Sequence, residues 1–141
     1  MGRDIFPDFL SADCELVAPR LLGCELVCSI NGRESRLRIV ETEAYHQRDA
    51  ASHSFRGRTP RTATMFGPSG HAYVYFTYGM HYCLNVVTGE PGIGAGVLIR
   101  AGEPLTGIDS LQANRMLNGK PKQQVDLTNG PAKLAQALGI T

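Results

Sequence analysis

Ile39 Val40 Glu41 Thr42 Glu43 Ala44 Tyr45 is the stretch from which the fold is read, because it places charge where a strand ordinarily carries only apolar side chains. A strand's period of two sends Leu37, Ile39, Glu41, Glu43 and Tyr45 to one face and Arg36, Arg38, Val40, Thr42 and Ala44 to the other. Two carboxylates therefore share a face with Leu37 and Ile39, the side a strand usually buries. Burying an ionised carboxylate costs several kcal/mol unless it is paired or its pKa moves. A structural salt bridge or a loop cap would offset that cost, and so would a reaction site.

Upstream, residues 24–30 read as a second strand, and Asn31 Gly32 is a strong two-residue hairpin signal joining it to a partner over residues 34–45. Ahead of that hairpin, Phe9, Leu10, Leu16, Val17, Leu21 and Leu22 predict short helical turns, with Ser11 as N-cap, Pro19 as an interruption and Gly23 as the stop. Downstream, the pattern dissolves over residues 46–70, a length that in a compact domain usually signals function or disorder. Residues 71–87 then carry Tyr73, Tyr75, Phe76, Tyr78 and Tyr82 around a turn at Gly79, predicting a hairpin with Tyr78 near its tip. Cross-strand aromatic packing explains Tyr73 and Tyr75 equally well, but a tyrosine at a hairpin tip is harder to place in a core. Gly92, Gly94 and Gly96 resemble a nucleotide loop, yet Val97 Leu98 Ile99 Arg100 follows as a strand and not a helix, so the dinucleotide fingerprint lacks its context. Arg100, closing an apolar strand, is suited to face a carboxylate. Asp109 is expected to cap a helix over residues 110–117 and Asn129 the last one, with Pro131 in its first turn and Lys133 close behind, a helix start suited to a phosphate.

Composition narrows the class. With 141 residues there is room for one domain, and 43% hydrophobic with 19% charged residues is ordinary for a globular chain. A net charge of +1 advertises neither nucleic acid nor membrane, so a polyanion site has to come from local clustering such as Arg48, Arg56, Arg58 and Arg61. Cys14, Cys24, Cys28 and Cys83 form no C-x-x-C pair, and their spacing with His46, His53, His71 and His81 matches no common zinc pattern, so no metal is expected. The chain opens without a leader-like segment, and no run is long enough to span a bilayer. The expected setting is cytoplasmic, nucleoid-associated in a prokaryote, or nuclear in a eukaryote.

Taken together, residues 38–45, Ala50 Ala51 Ser52 His53, Arg58 Thr59 Pro60 Arg61, Met65 Phe66 Gly67, Tyr73 Val74 Tyr75, Tyr78 Gly79 Met80, Leu84 Asn85 Val86, residues 97–100, and Asn129 Gly130 Pro131 with Lys133 Leu134 resemble the alkyladenine (3-methyladenine) DNA glycosylase family in family order over most of the chain. The resemblance implies an α+β fold, a single glycosylase domain over residues 1–141 with a curved, mostly antiparallel sheet, flanking helices and a protruding DNA-inserting β-hairpin. Glu43 matches the family's general base, and Arg100 the arginine near it. Tyr45, His53 and Tyr75 match the residues that sandwich an extruded base; Tyr73 and Asn85 match pocket residues, Asn85 disfavouring normal guanine. Tyr78 matches the wedge inserted into DNA, and Arg58, Arg61 and Lys133 are assigned to phosphates. Family members usually continue past the position of Ile140 Thr141, so the chain reads as truncated at its C-terminus, and His46 Gln47 Arg48 stands where the family more often has glycine and acidic residues.

The function implied is that of a monofunctional glycosylase hydrolysing the N-glycosidic bond of alkylated or deaminated purines flipped out of duplex DNA, a monomer acting without a metal, a redox cofactor or a membrane. A non-catalytic module that binds lesions without cutting is the alternative. Glu41 and Glu43, about 7 Å apart along a strand, also fit the carboxylate separation of an inverting glycosidase. The lack of any Trp weighs against a sugar platform.

Overall fold

The computed structural model describes residues 8–49, 51, 52, 54–77, 81–116 and 124–140. Helices α1 (Cys14–Leu21), α2 (Ile108–Arg115) and α3 (Pro131–Leu138) accompany strands β1 (Glu25–Ile30), β2 (Arg33–Tyr45), β3 (Ala72–Thr77), β4 (His81–Val87) and β5 (Gly96–Thr106). The strands form one sheet in the order β1-β2-β5-β4-β3, and the class is α+β. β1 and β2 pair antiparallel from Glu25↔Arg38 to Ile30↔Arg33, while β4 and β5 pair antiparallel from Asn85↔Leu98 to Val87↔Gly96. No helix among the described residues is long and apolar enough to cross a membrane.

Two compact units alternate along the sequence. The first comprises Met1–Pro19, Glu43–Tyr73 and Asn85–Leu98, the second Arg20–Thr42, Val74–Leu84 and Ile99–Thr141.

In the second unit the β1–β2 hairpin turns through Asn31 at φ 53° and Gly32 at φ 76°, the paired positive values of a type I′ turn. Along β2 the expected alternation holds where the core is: Ser35, Leu37 and Ile39 are buried and Arg38 and Val40 exposed. Beyond Ile39 burial gives out, and Glu41 is exposed. Leu37 meets β5 at Gly102, where a Cβ would approach Leu37 Cβ to 3.0 Å. Gly102 N in turn donates to the Thr128 carbonyl at 3.0 Å, and buried Thr128 returns its hydroxyl to the Gly102 carbonyl. α3 buries Leu134, Ala135, Ala137 and Leu138, a single helical face. It starts with Pro131 at its first position after Gly130, and it ends at Gly139, φ 76°, whose N–H donates to Gln136 while Ile140 N donates to Ala135, the two bonds of a Schellman motif.

Both later caps differ from the side-chain caps expected. The N-cap of α2 is Gly107 at φ 70° and that of α3 is Gly130, so Asp109 falls within the first turn and Asn129 lies one residue outside. At Gly107 a Cβ would sit 2.4 Å from the Glu34 carbonyl oxygen, so the close approach to β2, and not a capping oxygen, selects the residue.

The first unit holds the start of α1, where Asp13 and not Ser11 acts as cap: Asp13 Oδ1 accepts from Glu15 N at 3.1 Å, and Ser11 instead donates to the Asp8 carbonyl at 2.8 Å. Pro19 lies inside α1 without ending it. The polar stretch after β2 is a chain of hydrogen-bonded turns, Asp49 to His46, Ser52 to Asp49 and Gly57 to Ser54, followed by a short 3-10 helix Ala63–Phe66. Fully buried Ser54 fastens it, donating to the Gly94 carbonyl and exchanging a hydroxyl bond of 2.8 Å with Ser52. Gly94 has no space for a side chain, since a Cβ would meet Phe66 Cζ at 2.5 Å and Ser54 Cβ at 2.7 Å. The glycine-rich stretch before β5 is thus a packing surface for the preceding loop.

Candidate active site

β2 ends in the first unit with Glu43 and Tyr45, two residues apart and both half-buried. The strand's period sets their side chains on one face, and the Tyr45 hydroxyl donates to Glu43 Oε1. A phenol donor of this kind fixes the orientation of the carboxylate it bonds.

Also within this unit lie Tyr73 and Asn85. Tyr73 is only 4% exposed and Asn85 equally buried, with Asn85 Nδ2 donating to the Tyr73 carbonyl at 3.3 Å. That bond supplies a buried amide with an acceptor and ties the start of β3 to β4. Burial pushes the Tyr73 phenol up, and the positive charge of Arg61 pulls against that. Arg58 and Arg61 are exposed along the turns that precede them.

The second unit contains Tyr75, Cys83, Arg100 and Glu41, one residue from each of β3, β4, β5 and β2, which is the lateral order of those strands in the sheet. Arg100 is the one half-exposed residue in the run from Gly96 to Gly102 that is otherwise buried. Its Nε donates to Glu41 Oε1 at 3.2 Å, and the side chains are 36% and 58% exposed. A pair that wet contributes at most about 1 kcal/mol to folding. Cys83 is buried, which pushes its thiol up, while a hydrogen bond with Tyr75 and the Arg100 charge oppose the rise. Lys133, exposed in the first turn of α3, donates to Asn129 Oδ1 at 3.1 Å, and Asn129 Nδ2 donates to Asp126 Oδ1 at 3.2 Å.

The sequence model of the methylpurine-DNA glycosylase (MPG) family matches residues 8–141. This chain belongs to the methylpurine-DNA glycosylase family. A protein of Carboxydothermus hydrogenoformans named "Putative 3-methyladenine DNA glycosylase" is 55% identical over 132 residues, 94% of this chain and 67% of the relative. Proteins with the same name from Burkholderia lata and Methanoculleus marisnigri are 54% and 51% identical over 88% and 94% of the chain. The chain spans 67% of the Methanoculleus protein and 58% of the Burkholderia protein.

Against the positions matched to this family, the structure joins Glu43 to Tyr45, Tyr73 to Asn85 and Arg100 to Glu41. His53 and Tyr78, assigned to base stacking and to the wedge, lie outside the described residues, as does the tip Tyr78 Gly79 Met80 of the expected hairpin, whose flanking strands β3 and β4 are neighbours in the sheet. Among the described residues no group of three or more His, Cys, Asp or Glu side chains is arranged to hold a metal. Sequence reasoning turned Arg100 toward a carboxylate but did not find Glu41 as its partner, nor the link between Tyr75 and Cys83, nor the seat of Ser54 on Gly94. The first two depend on which strands lie side by side, and the third had a readable sign only in three glycines that precede a strand instead of a helix.

Proposed function

We propose that this methylpurine-DNA glycosylase family member hydrolyses the N-glycosidic bond of alkylated or deaminated purines turned out of duplex DNA, acting as a single monofunctional glycosylase domain. The observation that carries the reading is the half-buried carboxylate of Glu43 held by the Tyr45 hydroxyl at the end of β2. As the bond from C1′ to the purine nitrogen breaks, its electrons leave with the base and positive charge builds on the deoxyribose. A carboxylate beside that charge stabilises it and accepts a proton from the water whose oxygen bonds to C1′. An alkylated purine that is already cationic departs neutral, whereas hypoxanthine takes up a proton as it leaves. Arg100 is assigned to help place the water.

The target is unreachable inside a stacked duplex and has to be extruded. Tyr45, His53 and Tyr75 would stack on it at about 1–3 kcal/mol per base–aromatic contact, Tyr73 and Asn85 would bound the pocket, and Tyr78 would fill the vacated space. Arg58, Arg61 and Lys133 would meet phosphates.

Single-turnover excision on duplexes containing hypoxanthine or ethenoadenine tests the reading. The chain should release the base and leave an abasic site, and Glu43→Gln should keep lesion binding while excision falls about 10²–10⁴-fold. Retained turnover in Glu43→Gln would remove it from the base role. A wild-type chain that gives a shifted complex without an abasic product is a lesion-binding module instead.

A further inference from the structure

Phe55, in the first unit, is 51% exposed on a loop whose backbone is tightly held. Its N–H donates to the Ser52 carbonyl at 3.2 Å, and its neighbour Ser54 is fully buried, bonded to Ser52 and to the Gly94 carbonyl. Gly57, at φ 90°, turns the chain; its N–H donates to the Ser54 carbonyl at 2.9 Å, and its own carbonyl accepts from the buried Thr62 hydroxyl at 3.3 Å. Thr62 Oγ1 also accepts from the Thr59 N–H at 2.9 Å. Two buried hydroxyls, Ser54 and Thr62, thus clamp the base of the loop, while Phe55, Arg56, Arg58 and Arg61 are exposed on it. A lone exposed apolar side chain is ordinary on a protein surface. This one sits on a clamped backbone, so a partner that covers it has little loop entropy to remove. It also sits in uncompensated positive charge. Asp49 is the sole acid in residues 46–70, against four arginines, and its Oδ1 is taken by the Ala51 N–H at 2.9 Å. Among the described residues Arg56 and Arg58 have no ion pair, and the Phe55 ring meets no aromatic ring. A bare ring beside unpaired guanidiniums suits a partner with anionic groups and flat apolar faces in alternation, which is the make-up of a nucleic acid strand.

We propose that Phe55 is a DNA contact outside the lesion pocket, its ring stacking on a base face that the bound DNA exposes. The proposal rests on the DNA substrate of the reading above and on nothing in the excision step. A base face is bare in two settings, beside a purine turned out of a duplex and along a single strand, and the ring recognises the same chemistry in both. Stacking of this kind is tolerant of sequence, because every base has a π-face, and it is indifferent to salt, because no counterion is released.

The experiment measures binding of the full chain, by fluorescence anisotropy, to a hypoxanthine-containing duplex, an undamaged duplex of the same sequence and a single strand. Phe55→Ala should keep the thermal midpoint of the wild type and weaken binding to the hypoxanthine duplex, the single strand or both by about 5- to 10²-fold. Its salt dependence should match that of the wild type. Phe55→Tyr, which keeps the ring, should bind as the wild type does, and Phe55→Leu, which keeps apolar bulk without a flat face, should lose most of what Phe55→Ala loses. A loss confined to the hypoxanthine duplex assigns the ring to a base uncovered by extrusion, and one that includes the single strand assigns it to unpaired bases in general. Wild-type affinity of Phe55→Ala on all three probes overturns the contact and leaves the glycosylase reading standing. An equal loss on all three, the undamaged duplex with its covered bases included, overturns stacking, as does wild-type affinity in Phe55→Leu. A wild-type chain that binds DNA but releases no base overturns the proposed function and leaves this contact in place, whereas one that binds none of the probes overturns both.

Discussion

Asn85 illustrates how much one buried amide is asked to do. It is 4% exposed, and its Nδ2 holds the Tyr73 carbonyl at 3.3 Å, so it serves the scaffold whatever it also does in the pocket. Asn85→Ser takes the amide away from that carbonyl, and losing a hydrogen bond of this kind costs about 0.5–1.5 kcal/mol. The same substitution removes the bulk proposed to collide with guanine's exocyclic amine. The expected outcome is twofold: a lower denaturant midpoint in chemical unfolding, and a raised ratio of undamaged-guanine to hypoxanthine excision. A lower midpoint with an unchanged ratio would confine Asn85 to the scaffold. Glu41 makes the converse point. The period of β2 places it on the face of Leu37 and Ile39, but it is exposed, because alternation reports which side a residue is on and not where the core stops. The burial penalty that drew attention to the two carboxylates thus does not apply to Glu41, and its pairing with Arg100 is a matter of geometry more than of desolvation.

Elements were legible in proportion to how local their causes are. Asn31 Gly32 specifies its hairpin through two positive φ angles that those residues adopt readily, and the β1–β2 register follows. The helix starts at α2 and α3 were misread for the opposite reason. Capping rules look for a side-chain oxygen, while Gly107 is chosen by the carbonyl of Glu34, more than seventy positions earlier in the chain. The Ser54 anchor on Gly94 and the strand neighbours of Arg100 are non-local in the same way. Gly107→Ala tests the argument at the element where it applies. Its Cβ would lie 2.4 Å from the Glu34 carbonyl and 2.7 Å from Ser35 Oγ, and φ of +70° is strained for alanine. Overpacking of this kind costs about 1–3 kcal/mol, and the left-handed backbone adds to it. A lowered thermal midpoint is the expected result; a midpoint equal to wild type would mean that α2 and β2 separate without penalty at this contact.

For the molecule as a whole, charge decides how duplex DNA could be held. A net charge of +1 provides no long-range field, so any grip on the backbone has to come from particular side chains. Arg58 and Arg61 are exposed on the turns after β2, and Lys133 is exposed at the start of α3, where Asn129 takes its ammonium at 3.1 Å. That bond is one exposed hydrogen bond, weak enough to be exchanged for a phosphate at little cost. If all three neutralise phosphates, the logarithm of the affinity should fall with the logarithm of salt with a slope of about −2.7, each cation contributing about 0.9 through counterion release. Fluorescence anisotropy of a labelled duplex across a salt series measures this directly. Arg58→Ala, Arg61→Ala and Lys133→Ala should each flatten the slope by about 0.9 and weaken binding equally for damaged and undamaged duplexes, because phosphates carry no information about the base. A variant that leaves the slope unaltered removes that residue from the backbone contacts. A loss confined to the damaged duplex would place the residue in the lesion pocket instead.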